Sequence, residues 1–173
     1  MEELKMILEA LIFASEMPLS AEKIAQLVGE EDRKAIESSL QELLLEYRER
    51  QGGIHLEEVA GGFQFRTRKE LAPWVRKLKG VKNSLTPAAM ETLAVIAYRQ
   101  PVVKAEIDNI RGVDAGGPLK KLLEKKLVRI VGRKDVPGKP IIYGTTRKFL
   151  EVFSLKDLSE LPTLKELKEL EER

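Results

Sequence analysis

Two prolines, Pro18 and Pro101, stand 83 positions apart, and at that same offset the chain repeats itself. Ile24 falls opposite Ile107, Leu27 opposite Ile110 and Gly29 opposite Gly112. The register holds through Ile36 and Leu119, Leu40 and Leu123, and Leu44 and Leu127. Upstream, Ala10-Leu11-Ile12-Phe13-Ala14 lies against Leu93-Ala94-Val95-Ile96-Ala97. Apolar positions locked to proline and glycine punctuation at a constant offset mark one supersecondary unit used twice. A chain of 173 residues built this way makes two domains of about 80 residues each rather than one large core. Units that small bury only about 60% of their unfolded surface, so each gains from a partner.

Each unit reads as three helices followed by a hairpin. In the first, a helix covers residues 3–15, Ser20 caps a short helix ending near Gly29, and Asp32 caps a longer one to about Arg50. Ile54 to Val59 and Phe63 to Thr67 alternate as strands, with Gly61-Gly62 as the turn. A helix from Lys69 to Lys79, apolar at Leu71, Trp74, Val75 and Leu78, is expected to close this unit, and Gly80 to Leu85 to link it onward. In the second, Thr86 before Pro87 is a cap followed by a first helical residue. That helix runs to about Arg99, a short one spans Lys104 to Arg111, and a third spans about Ala115 to Lys126. Val128 to Gly132 and Ile141 to Gly144 are strands around a proline- and glycine-marked wing, and residues 146–153 form a last short helix. The expected class is mainly α with small β-hairpins (α+β): tandem winged-helix domains at 1–80 and 81–154, with a tail at 155–173.

The tail's leucines recur at 155, 158, 161, 164, 167 and 170. That spacing drifts around a helix and makes no coiled-coil seam. Thr163-Leu164-Lys165-Glu166 has the form of a capping box, so a short terminal helix is expected, packed on the second domain or fraying, with a docking segment as the other reading.

Charge is unevenly spread: −3 over residues 1–80, +8 over 81–150 and −3 over 151–173. A basic second domain admits a polyanion or an acidic protein. The absence of cysteine excludes disulfides and thiolate metal sites. The acidic start Met1-Glu2-Glu3 is unlike a signal peptide, and no apolar run nears the roughly 20 residues that span a bilayer, so a cytoplasmic location without membrane contact is expected.

Catalytic chemistry finds no footing. The one histidine, His55, sits in an alternating strand, and no glycine-x-serine-x-glycine elbow accompanies it. Gly132 to Lys139 resembles a phosphate loop only loosely: five residues separate its glycines, and Pro140 replaces the hydroxyl that would hold magnesium. No cofactor is expected. Nucleic-acid contact has a better case. Stepping about 100° per residue puts Lys120, Lys121 and Lys125 on the outer face of the third helix, with Arg133, Lys134 and Lys139 on the wing. That face lacks the arginine, asparagine or glutamine that reads base edges, so at most weak, non-specific DNA contact is expected.

Apolar surplus points instead to protein partners. In the first helix apolar residues cover an arc of roughly 260°, far more than the ~100° stripe a small core needs. Met6, Ile7, Ala10 and Phe13 are therefore candidates for a homodimer interface, and Met90, Leu93, Ile96 and Tyr98 for a second partner.

The blocks from Leu85-Thr86-Pro87-Ala88-Ala89-Met90 to Arg99-Gln100-Pro101-Val102, then Ile110-Arg111-Gly112-Val113-Asp114, carry a family resemblance. It continues in Val131 to Pro140, Tyr143-Gly144-Thr145-Thr146 and Phe149-Leu150, and more loosely in Leu8 to Ser15 and Pro18-Leu19-Ser20. The chain resembles the segregation and condensation protein B (ScpB) family of tandem winged-helix proteins. The resemblance implies a non-enzymatic adaptor that dimerises through its first winged helix and grips the central segment of a kleisin, ScpA. Through ScpA it would reach Smc at the nucleoid and support chromosome condensation and partition in cell division. The competing reading is a winged-helix nucleic-acid-binding regulator built on the lysine-rich helix and wing.

Overall fold

The computed structural model describes residues 2–29, 33–79, 85–163 and 166. It divides into two compact units, one holding Met1–Val81 together with Ser154–Arg173, the other Lys82–Phe153. Asp32, most of the expected linker and the leucines at 164, 167 and 170 lie outside the described residues.

In the first unit, α1 (Glu2–Ala14) opens with Glu2 and Glu3 against the positive end of its dipole. Ser20 Oγ accepts the Lys23 N–H at 3.3 Å to start α2 (Ala21–Val28), and Gly29, at φ 69°, ends it by donating to the Ala25 carbonyl. α3 (Arg33–Glu49) follows. The core is Leu8 and Ile12 from α1, Ile24 from α2, Ile36, Leu40, Leu43 and Tyr47 from α3, and Leu56 and Phe63 from the hairpin β1 (Ile54–Val59) and β2 (Gly62–Thr67).

The hairpin turn is not Gly61-Gly62. Val59 pairs with Gly62, leaving Ala60 and Gly61 as the loop, both at positive φ (51° and 67°), as a type I′ turn requires. Gly62 is needed inside the strand, because the Pro18–Leu19 backbone crosses it. A Cβ there would lie 2.8 Å from the Leu19 carbonyl carbon and 2.9 Å from that of Pro18. Leu19 and Phe63 bond reciprocally across this crossing, at 3.0 and 2.9 Å. Gly62→Ala is therefore expected to cost about 1–3 kcal/mol in chemical denaturation, the usual penalty for overpacking; an unchanged midpoint would contradict the close approach.

A 3₁₀ turn (Lys69–Leu71) leads into α4 (Ala72–Lys79), which does not close the unit. Trp74 is 65% and Leu78 87% exposed, since α1 to α3 and the hairpin already fill the core. The stretch just after Phe153 belongs to the first unit and lies on the β1–β2 turn, while the expected terminal helix falls mostly outside the described residues. Ala60 N–H donates to the Leu155 carbonyl (2.8 Å) and Gly61 N–H to that of Lys156 (3.2 Å). Lys156 Nζ pairs with Glu58 at 2.8 Å, and Arg66 donates to Ser154 Oγ at 2.9 Å. Two turn amides thereby gain acceptors. Thr163 and Glu166 bond reciprocally, as a capping box does.

The second unit repeats the plan. Thr86 Oγ1 caps α5 (Pro87–Arg99), accepting the Ala89 N–H at 3.3 Å. α6 (Lys104–Arg111), ended by Gly112 at φ 71°, and α7 (Gly116–Glu124) follow. Sequence reading missed the strand β3 (Val102–Val103), which pairs with β5 (Ile141–Thr145), itself paired with β4 (Val128–Arg133), giving the order β3-β5-β4. β3 is too short for an alternation signal. Its first-unit counterpart is Leu19, which bridges to Phe63 and stands 83 positions before Val102. α8 (Arg147–Phe153) ends the unit. Three helices and a hairpin, with a short strand (second unit) or a single bridge (first unit) between the first two helices, make both units winged helices.

Candidate protein-binding surfaces

α1 carries two apolar stripes. Leu8 and Ile12 face the core, while Met6, Ala10 and Phe13 line up on the outside at i, i+4 and i+7. Phe13 is 74% exposed. These three, with Glu9, Tyr47, Ile54 and Phe65, bound a shallow groove of about 250 Å³. Phe13 meets Phe65 edge-on at 6.4 Å, and Tyr47 meets Phe65 at 4.7 Å. The Tyr47 hydroxyl donates to Glu9, and burial, reinforced by that carboxylate, pushes the phenol pKa up. Of the expected dimer residues, the fold brings Met6, Ala10 and Phe13 to one groove; Ile7 is exposed beside it.

The second set divides. Leu93 is 2% and Ile96 0% exposed, so both belong to the core and are withdrawn as partner-binding residues; Met90 and Tyr98 remain on the surface. The reason is α5's position: α6, α7 and β5 all pack on it, so Ala89, Leu93 and Ile96 form an inward stripe. On a helix this apolar, periodicity alone cannot separate the inward stripe from the outward one. Further exposed apolar residues are Ile110, Val113, Ile130, Val131 and Val136, none of which was among the expected partner contacts.

The basic set is partly engaged. Lys134 Nζ pairs with Glu106 at 2.6 Å, and the Arg133 guanidinium donates to the Lys139 carbonyl at 3.1 Å. Lys134 is thus turned to a neighbouring carboxylate rather than offered to phosphate, whereas Lys120, Lys121, Lys125 and Lys139 are exposed. Among the described residues no cluster of three or more histidine or carboxylate side chains could hold a metal, and no helix is long and apolar enough to cross a membrane.

The Arg111-Gly112-Val113-Asp114 block serves the fold. Lys104 Nζ bridges Asp108 (2.6 Å) and Asp114, and these carboxylates accept the Ala115 and Gly116 N–H groups at 2.8 and 3.0 Å, fixing the entry to α7. Hydrogen bonds from Lys104 hold both carboxyl pKa values below the usual range, and the bond to Asp108 raises that of Lys104. A depressed carboxyl pKa contributes stability that is present at neutral pH and lost as pH falls through the lowered value. The melting temperature is expected to fall below about pH 4, with a shallower fall in Lys104→Met. Thermal melts followed by circular dichroism check this; the same slope in both proteins would discount the bridge.

Residues 6–164 match the family described as "Segregation and condensation complex subunit ScpB". The segregation and condensation protein B of Syntrophotalea carbinolica is 53% identical over 169 residues, covering 97% of this chain and 85% of that protein. That of Myxococcus xanthus is 48% identical, covering 98% of this chain and 51% of the longer relative. A crystal structure of a dimer of ScpB N-terminal domain complexed with ScpA peptide is 36% identical over 44% of this chain and 95% of that one, with a TM-score of 0.41. With a match over nearly its full length and a relative more than half identical, the chain belongs to the segregation and condensation complex subunit ScpB family.

Proposed function

We propose that the chain is a non-enzymatic adaptor that homodimerises through its first domain (1–80) and uses its second (81–154) to bind the kleisin ScpA. Through ScpA it joins Smc on the nucleoid, in the cytoplasm, to support chromosome condensation and segregation. The observation that carries this reading is the second apolar stripe of α1: Met6, Ala10 and Phe13 form one exposed patch around a groove, a feature of interaction surfaces. Met90 and Tyr98 are the proposed kleisin contacts.

One observation favours the nucleic-acid reading: Lys120 and Lys121 lie exposed on α7, the helix that enters the groove in DNA-binding winged helices. Both readings meet in one pair of measurements on the full chain. Light scattering is expected to give twice the 19.6 kDa chain mass, and pull-down is expected to capture ScpA. Charge reversal of Lys120 and Lys121 should leave that capture within about twofold, as for surface substitutions generally. A steep salt slope with sequence preference in mobility-shift assays, together with failed capture, would replace the adaptor by the regulator.

A further inference from the structure

Resting on the dimer reading above, we infer that the groove on α1 of one copy receives α4 of a second copy, and reciprocally. α4 is an amphipathic helix whose two largest apolar residues are left largely uncovered by its own unit. Leu71, Trp74, Val75 and Leu78 fall at i, i+3, i+4 and i+7, the anchor spacing of a helix laid into a groove. Its largest anchors, Trp74 and Leu78, are 65% and 87% exposed. The groove has the complementary character: apolar walls from Met6, Phe13 and Phe65, and a volume of about 250 Å³, smaller than small-molecule pockets and suited to a side chain or two.

Charge favours the pairing. Besides its apolar stripe, α4 carries Arg76 and Lys77, whereas the groove is bounded by the carboxylate of Glu9, with Glu2 and Glu3 in the first turn of α1. The Glu9 carboxylate at the groove favours the basic α4 as its occupant, whereas two copies of α4 placed together would repel. The geometry permits it to occur twice. The turn into α4 lies against the groove's edge, since Leu71 Cδ1 is 3.2 Å from where a Gly53 side chain would begin, one residue before the wall residue Ile54. A two-fold axis that seats one copy's α4 in the other's groove therefore seats the second pair as well.

The chain contains no cysteine and one tryptophan, so both tests are clean. Full-length Ala10→Cys and Leu78→Cys proteins, mixed and mildly oxidised, are expected to form a disulfide between unlike chains, with little covalent dimer from either alone. Trp74 emission is expected to move to longer wavelength as the protein is diluted to monomer, and Trp74→Ala to weaken self-association by about 30-fold or more, the scale of an interface hot spot. A dimer in light scattering that cross-links more readily through Ala10→Cys alone, or not at all between unlike chains, overturns this docking and leaves the dimer standing. So does a dimer whose groove cysteine cross-links only to an added ScpA segment. A monomer at high micromolar concentration overturns the dimer reading itself.

Discussion

Phe13→Asp is expected to convert the dimer to monomer, raising the dissociation constant by more than about 100-fold. Two effects combine. Removing a central aromatic from an interface costs about 2 kcal/mol or more. Burying an unpaired carboxylate in its place adds a desolvation penalty, so the dimer no longer competes with a hydrated monomer. The monomer should remain folded, because Phe13 is 74% exposed and its chief local contact is the edge-on approach to Phe65. Losing such an aromatic pair costs only about 0.5–1.5 kcal/mol. Sedimentation or light scattering across a dilution series, with far-ultraviolet circular dichroism as the folding check, measures both. A variant that stays dimeric with wild-type affinity removes α1 from the interface.

Ile96→Ala and Tyr98→Ala are expected to part company, although they stand two residues apart. Ile96 is fully enclosed, and deleting most of a buried isoleucine costs about 2–5 kcal/mol. In a domain of this size each kcal/mol moves the melting temperature by about 4–8 °C, so the loss should be at least about 8 °C. Tyr98 is 41% exposed, and its truncation should lower the melting temperature less than Ile96→Ala does while weakening ScpA capture. Differential scanning calorimetry and pull-down on the same proteins separate the roles. Wild-type melting of Ile96→Ala, or unimpaired capture by Tyr98→Ala, would reverse the assignment of these faces.

The features legible in the chain were those whose cause lies within a few residues. Ser20 and Thr86 cap their helices by bonding an amide three positions on, and Gly29 and Gly112 end helices because glycine tolerates positive φ. The repeat also told where the order of elements would recur. The opposite class comprises features caused by distant chain. Gly62 reads as a turn residue until Leu19, more than forty positions earlier, is seen to cross it. Leu93 and Ile96 read as surplus apolar surface until α6, α7 and β5 are laid on α5. Trp74 and Leu78 read as a lid for the core until the core is found already filled.

By itself, then, the sequence determined two copies of a three-helix-and-hairpin plan, their capping, and the kinship carried by residues 85–150. Only the tertiary structure decided which apolar stripe of each helix faces inward, that the chain after Phe153 returns to the first hairpin's turn, and that Met6, Ala10 and Phe13 share one groove with Phe65. The physical reason is range. Backbone preference and capping act over a single helical turn, whereas burial is a property of neighbours brought together from anywhere along the chain.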